Sequence, residues 1–275
     1  MKKMMISVAP VNAMDTVNEP KQIAADVYEC YKLGASMVHL HCRDDAGRLT
    51  PDLQHLKETV DLIKEKCDIV IEISTGGVSG LTIQERCTPC YPNWVECNSL
   101  NVGSVNLGDA VYQNPIQDVE YCVNTILKNG KIPETEVFEI GMLHTLKQLD
   151  DKFGFVKPVF IAVVLGHIGA MPATEFALRT MCAGISEYFP DRNQVVWGIT
   201  HANRTDWSVI EQAIELGADG MRIGFEDSHY INTDLIAQNN AQIVEEAVKR
   251  IQQKHREPMS PKEVRALLQI KQLGE

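Results

Sequence analysis

Runs of consecutive apolar residues alternate along this chain with stretches whose apolar positions fall three and four apart, a pattern that predicts strands alternating with amphipathic helices. Met4 to Pro10 reads as a buried strand. Pro20 to Leu33 follows as a helix with Ile23, Ala24, Val27, Cys30 and Tyr31 on one face. Met37 to His41 is the second strand, and the helix Asp52 to Lys66 carries Leu53, Leu56, Val60, Leu62 and Ile63 on its apolar side. Asp68 to Ser74 and Val95 to Asn101 are the third and fourth strands; a helix from Gln117 to Asn129 stops at Gly130. Thr135 to Ile140 is the fifth strand, with a helix over Gly141 to Leu149. Pro158 to Leu165 is the clearest strand, with seven apolar residues in a row after the proline, and Ala173 to Gly184 is its helix. Val195 to Thr200 and Asp219 to Gly224 complete the strands, separated by the helix Trp207 to Leu216. Helices over Thr233 to Gln253 and Pro261 to Leu273 close the chain.

Eight strand–helix alternations with short loops imply an α/β protein whose parallel sheet is covered by helices. At 275 residues they predict a closed (β/α)8 TIM barrel, with an open doubly wound sheet as the alternative. No linker or change of composition divides the sequence, so residues 1–275 are expected to form one barrel domain with C-terminal helices. Hydrophobic residues make up 44% and charged residues 23%, the profile of a soluble globular protein. The net charge of −11, with no basic run, argues against nucleic acid or an anionic membrane as partner. Lys2 and Lys3 precede an apolar run too short for a secretory signal, since Pro10, Asn12 and Asp15 interrupt it. No apolar run approaches the roughly 20 residues of a membrane span. Eight cysteines without regular spacing suggest a reducing compartment, and the expected location is cytoplasmic.

The chemistry gathers where strands end. In the second strand His39 and His41 point to one side and Val38 and Leu40 to the other. Arg43-Asp44-Asp45 then breaks the strand, which puts two imidazoles at its carboxyl end, suited to one divalent metal ion. The plainer reading is two strand histidines with local hydrogen-bond partners. After the third strand, Ser74-Thr75-Gly76-Gly77 leads into a helix expected near Leu81, a place for a carboxylate or phosphate. On the fourth strand Ser99 and Asn101 share a face and can donate to a substrate oxygen, or serve only to cap a turn. Glu72, Glu134 and Glu136 are odd residues for barrel strands and need partners. On the eighth strand Arg222, Gly224 and Glu226 alternate onto one face, with Asp227 just beyond. Glu226 then completes a two-histidine, one-carboxylate metal set with open positions.

Five segments in order carry a resemblance: His39-Leu40-His41-Cys42-Arg43-Asp44, Ile73-Ser74-Thr75-Gly76-Gly77, the run from Leu100 to Asp109, the run from Pro133 to Glu139, and Arg222-Ile223-Gly224-Phe225-Glu226-Asp227. Over nearly its whole length the chain resembles the β-keto acid cleavage enzymes, whose best-known members cleave 3-keto-5-aminohexanoate. The resemblance implies a TIM barrel, a homotetramer, and conversion of a β-keto acid and acetyl-CoA into acetoacetate and a new acyl-CoA. It implies His39, His41 and Glu226 as zinc ligands. Ser74, Thr75, Gly76 and Gly77, helped by Ser99 and Asn101, would hold the substrate. Asp227, oriented by Arg222, would be the base at C2, with Glu136 as its polar neighbour. Two departures stand out. Met14 occupies the position where members acting on the amino substrate place a glutamate, which argues against that substrate here. Thr200-His201-Ala202-Asn203-Arg204 replaces a Gly-x-Gly-Arg run, leaving Arg204 as a contact for CoA phosphates or the substrate tail. His167, after the sixth strand, is a further candidate for specificity.

Three other readings compete. An amidohydrolase-type metal-dependent hydrolase would also use His-x-His, with His167 and His201 as further ligands. Cys87-Thr88-Pro89-Cys90, with Cys97 nearby, has the spacing of a dithiol or a metal knuckle. A ligand-sensing barrel without turnover is the third.

Overall fold

The computed structural model describes residues 2–12 and 19–271. Its elements run β1 (Lys3–Val8), α1 (Pro20–Leu33), β2 (Met37–Leu40), α2 (Gln54–Lys64), β3 (Val70–Ser74), α3 (Ile83–Arg86) and β4 (Cys97–Asn101). A hairpin of β5 (Val105–Leu107) and β6 (Ala110–Tyr112) comes next, then α4 (Ile116–Lys128), β7 (Ile132–Val137), α5 (Ile140–Phe153) and β8 (Val159–Leu165). The chain continues through α6 (Glu175–Tyr188), β9 (Val195–His201), α7 (Ser208–Glu215) and β10 (Gly220–Ile223). A second hairpin, β11 (Tyr230–Asn232) and β12 (Leu235–Ile236), precedes α8 (Asn240–Gln253), β13 (Glu257–Pro258) and α9 (Pro261–Leu268). The sheet order is β10-β9-β8-β7-β4-β3-β2-β1, and β10 pairs in parallel with β1. That pairing closes the ring, so the fold is a (β/α)8 TIM barrel.

The barrel's two ends differ in chemistry. Met5, Met37, Val70, Cys97, Ile132, Phe160 and Val196 form an apolar layer at the amino ends of the strands, sealed by Val264, Leu268 and Ile270 from α9 and the residues after it. Each such aliphatic side chain contributes about 1.5–3 kcal/mol by leaving water. Above this plug the interior turns polar: Ser7, His39, Glu72, Ser99, Glu134 and Arg222 are all buried. Polar groups are therefore stacked toward the carboxyl ends, the end where barrels of this kind carry chemistry.

Several boundaries differ from those expected, each for a local reason. β7 starts at Ile132 rather than Thr135, with Pro133 inside the strand. The helix expected from Thr233 begins at Asn240, because residues 230–236 pair as a hairpin and the Asn239 side chain accepts from Gln242 N at 3.1 Å. α9 stops at Leu268, where Gln269 turns left-handed at φ 56°. The helix expected near Leu81 is the single turn α3.

Candidate active site

β2 delivers His39 and His41 as the period of two requires. Each ring is fixed from behind: His39 Nδ1 meets Glu72 Oε1 at 3.0 Å, and His41 Nδ1 meets the Gly76 carbonyl at 3.1 Å. A carbonyl only accepts, so His41 Nδ1 donates to it and Nε2 is turned toward the other two donors. The third donor arrives by a different route from the one expected. β10 ends at Ile223, and Glu226 is placed by a turn instead of by strand alternation. Gly224, at φ +134°, makes that turn; a Cβ there would lie 2.3 Å from the Ala9 carbonyl oxygen. The turn is stitched to β1 and to itself by Glu226 N to Ala9 O at 3.1 Å and Asp227 N to Gly224 O at 3.0 Å.

His39 Nε2, His41 Nε2 and Glu226 Oε1 form a triangle with edges of 3.3, 3.3 and 3.6 Å. Bonds of about 2.1 Å to a tetrahedral metal give donor–donor edges of about 3.4 Å, so the donor set fits a divalent transition ion with its fourth position open. Burial would raise the Glu226 carboxyl, but His41, His39 and Arg222 overcome this and hold it well below the usual carboxylate range. A second group of potential ligands, His39, Glu72 and Glu134, lies deeper. Burial pushes Glu72 up to about 8, and burial, then the neighbouring Glu72 charge, raises Glu134 well above the usual carboxylate range. Glu72 meets His39 at Nδ1, the ring nitrogen turned away from the triangle, so this deeper group supports the ring from behind rather than competing for the metal.

Arg222 is the hub beside the triangle. Its Nε and Nη2 donate to the two oxygens of Asp227 at 3.1 and 2.7 Å, a bidentate grip, while Nη1 donates to Glu136 Oε1 at 3.1 Å. Nη1 also stands 3.3 Å from His39 Nε2, so the Asp227 carboxylate and the metal donors share one guanidinium. Burial opposes the charge, but Asp227, Glu226 and Glu136 raise the guanidinium pKa well above its ordinary value.

On the β3 and β4 side the expected substrate groups separate. Ser99 donates to Ser74 Oγ at 3.3 Å, which leaves the Ser74 proton free, and Asn101 Nδ2 is buried without a partner. Thr75 faces the other way: its hydroxyl donates to the Ser99 carbonyl at 2.7 Å and accepts from Cys122 Sγ on α4. Strand alternation explains the reversal, since Ser74 points in and Thr75 out. Nor do Gly76 and Gly77 offer free amides, because Gly76 N donates to Ser74 Oγ at 3.2 Å and the Gly77 amide bonds the Tyr112 hydroxyl. α3 adds no anion site. It is one turn long, and a Thr82–Glu85 capping box already takes up its amino end. The glycines serve instead as room for Tyr112, whose hydroxyl would lie 1.4 Å from a Cβ on Gly76.

Arg204 is only 2% exposed and packs over the Trp207 ring at 3.8 Å, so as placed it presents no surface to a CoA phosphate. Met14 lies outside the described residues. Among the described residues neither His167 nor His201 joins a group able to hold a metal ion, against the hydrolase reading, and no cysteine does either. Cys87, Cys90 and Cys97 are free, buried thiols. Two features escaped sequence reasoning: Gly76 O as the rest for His41, and Tyr112, delivered by the unpredicted β5–β6 hairpin.

A triangle of donors able to hold a metal ion and a carboxylate gripped by arginine thus stand together at the carboxyl end of a TIM barrel, the end where barrels of this class carry their chemistry. The beta-keto acid cleavage enzyme family model matches residues 4–270, and the chain belongs to that family. The 3-keto-5-aminohexanoate cleavage enzyme of Fusobacterium nucleatum subsp. nucleatum is 32% identical over 91% of this chain and 89% of its own length. The 3,5-dioxohexanoate:acetyl-CoA acetone transferase of Paraburkholderia graminis is 29% identical over 98% of this chain and 96% of its own. Among solved structures, apo ObcA superposes with a TM-score of 0.78 at 17% identity, over 91% of this chain. This chain spans 64% of that ObcA chain, and the likeness concerns the fold.

Proposed function

We propose that this chain condenses a β-keto acid with acetyl-CoA and cleaves the adduct to acetoacetate and a new acyl-CoA. The observation that carries the reading is the convergence of His39, His41 and Glu226 beside the Arg222–Asp227 pair. Zinc suits the donor set best, since two imidazoles and one carboxylate with an open fourth position make up a catalytic zinc site. When bound, the metal would act as a Lewis acid toward the two carbonyl-type oxygens of a β-keto acid.

The chain's own residues do the rest. Ser74 Oγ–H and the spare Asn101 Nδ2 hold the substrate carboxylate. Asp227, pinned at both oxygens by Arg222, takes a proton from C2, and Glu136 holds the far side of the same guanidinium. The carbanion attacks the acetyl thioester carbonyl and expels CoA thiolate; the thiolate then attacks the original ketone. Cleavage of the old C2–C3 bond yields acyl-CoA and the enolate of acetoacetate, which takes back the proton held by Asp227. No protein nucleophile is needed, in keeping with a site that has no serine–histidine pair among the described residues.

The relatives' names differ in the tail beyond the ketone: an amino group, a second keto group, or in the 3-oxoadipate:acetyl-CoA acetyltransferase of Cupriavidus necator a diacid. With Met14 in place of a glutamate, an aminohexanoate is a poor fit here. A homotetramer is the assembly that goes with this reading. The test is a panel of β-keto acids incubated with acetyl-CoA and scored for acetoacetate. Product is expected with at least one acid and lost in Glu226→Gln and Asp227→Asn; wild-type turnover by both variants overturns the reading.

A further inference from the structure

The ring order places β8 four strands from β2 in either direction, so the loop after β8 faces the histidine strand across the barrel mouth. That loop carries His167. Its backbone is held at several points: Gly166 N donates to Met171 O at 3.0 Å, Ala170 N to His167 O at 3.1 Å, and Gly108 N to Ile168 O at 3.0 Å. Asn203 Nδ2 adds a bond to Gly166 O at 3.2 Å. Gly166 holds φ +95° where a Cβ would lie 2.4 Å from the Ala202 carbonyl, so the loop has little freedom to rearrange.

Within this fixed loop the side chains part company. Ile168 is 74% exposed, whereas His167 is half-buried with its ring 5.6 Å from that of Phe138. Asp227, Arg222, Glu136 and Glu226 all lie within electrostatic reach of it. No ring nitrogen of His167 bonds any described residue, and neither nitrogen is sealed away from the barrel mouth. A donor beside the charged cluster of the site, on a loop held at several points and with ring nitrogens that bond no described residue, is an arrangement for a ligand.

We infer that His167 is a specificity-determining residue that hydrogen-bonds an uncharged oxygen, keto or hydroxyl, in the acyl tail of the β-keto acid. The inference rests on the function proposed above. The ring order sets β8 opposite β2, so carbons that run across the mouth from a ketone held at β2 arrive at His167. Burial pushes the imidazole below the ordinary histidine range, so it is neutral there and offers one N–H and one lone pair. An anionic tail would meet the Asp227 and Glu136 carboxylates, with Arg222 already committed to both. An ammonium tail would lack the lone carboxylate it needs, since Glu136, Glu226 and Asp227 are all engaged. A neutral oxygen satisfies the imidazole without either cost.

The experiment compares kcat/KM for 3,5-dioxohexanoate and for 3-oxohexanoate, which has the same length but no tail oxygen. The wild-type protein is expected to favour the dioxo acid. His167→Phe keeps the aromatic contact with Phe138 and should cut that ratio about tenfold, while His167→Gln, which retains a donor, should restore it to within about threefold. A wild-type ratio favouring 3-oxohexanoate, or a ratio untouched by His167→Phe, overturns the inference and leaves the reaction standing. Turnover of neither acid, nor of any other in the panel, removes the reaction and the inference together.

Discussion

Glu226 Oε1 stands 3.3 Å from His41 Nε2, although 185 residues separate the two along the chain. Two features produce the contact. Barrel closure sets β10 against β1, next to β2, and the Gly224 turn then swings the chain back over the mouth. The donor triangle thus depends on a glycine that is not one of its members.

Gly224→Ala should therefore damage both stability and the site. The residue is at φ +134° and a Cβ would lie 2.8 Å from Ala9 C as well as clashing with its oxygen. Left-handed strain at a non-glycine residue costs about 1–3 kcal/mol, and the clash adds to it. Thermal unfolding should show a Tm lower by several degrees, with metal affinity reduced in parallel. An unshifted Tm would mean the turn is not as constrained as described.

Asp227 and Arg222 should separate in their effects on proton removal. Asp227→Asn keeps the shape but removes the base, so exchange of the C2 protons of a bound β-keto acid into D2O, followed by NMR, should slow by about 10²–10⁴-fold. Arg222→Lys leaves the base present but loses the bidentate grip, and exchange should slow by a smaller factor. Equal loss in the two variants would contradict the division of roles.

Glu72 should act on the metal through His39. It holds His39 Nδ1 at 3.0 Å from full burial. Replacing it with glutamine keeps the volume and weakens the hold, and zinc affinity measured by competition with a chromophoric chelator should fall about 10–100-fold. Unchanged affinity would show that the ring needs no such support.

His201 should give the fold a pH dependence. Burial first, then Arg204, lowers its pKa from the ordinary 6.5 to about 4. Between those values the unfolded chain binds the proton and the folded chain does not. Stability therefore rises with pH across the window and is lost as pH falls, by about 2 kcal/mol at pH 5 relative to neutrality. Below about pH 4 this loss levels off. Urea unfolding at pH 7.5 and pH 5 should show a smaller drop for His201→Gln than for the wild type; equal drops would remove the assignment.

The strands were readable because apolar runs and a period of two are local properties, and the same period put His39 and His41 on one side. Glu226 was reached by extending that alternation past Ile223, whereas it is the turn at Gly224 that brings it beside His39 and His41. The glycine loop misled for a clearer reason. Whether the amides of Gly76 and Gly77 are free depends on Tyr112, which a hairpin brings from far along the chain, and no local pattern announces it. Arg204 looked available because arginines usually are; the Trp207 ring three residues on hides it. Thr233 to Asn239 reads as helical by composition, but strand pairing outweighs that weak propensity.

The account's central claim is that two imidazoles and a carboxylate hold one metal ion, and direct metal analysis tests it. After equilibration with zinc and removal of the excess, the wild-type chain should retain about one zinc, in keeping with a single tetrahedral site. The double variant His41→Ala/Glu226→Gln should retain almost none. Full retention by that variant, with its fold intact by circular dichroism, would contradict the claim.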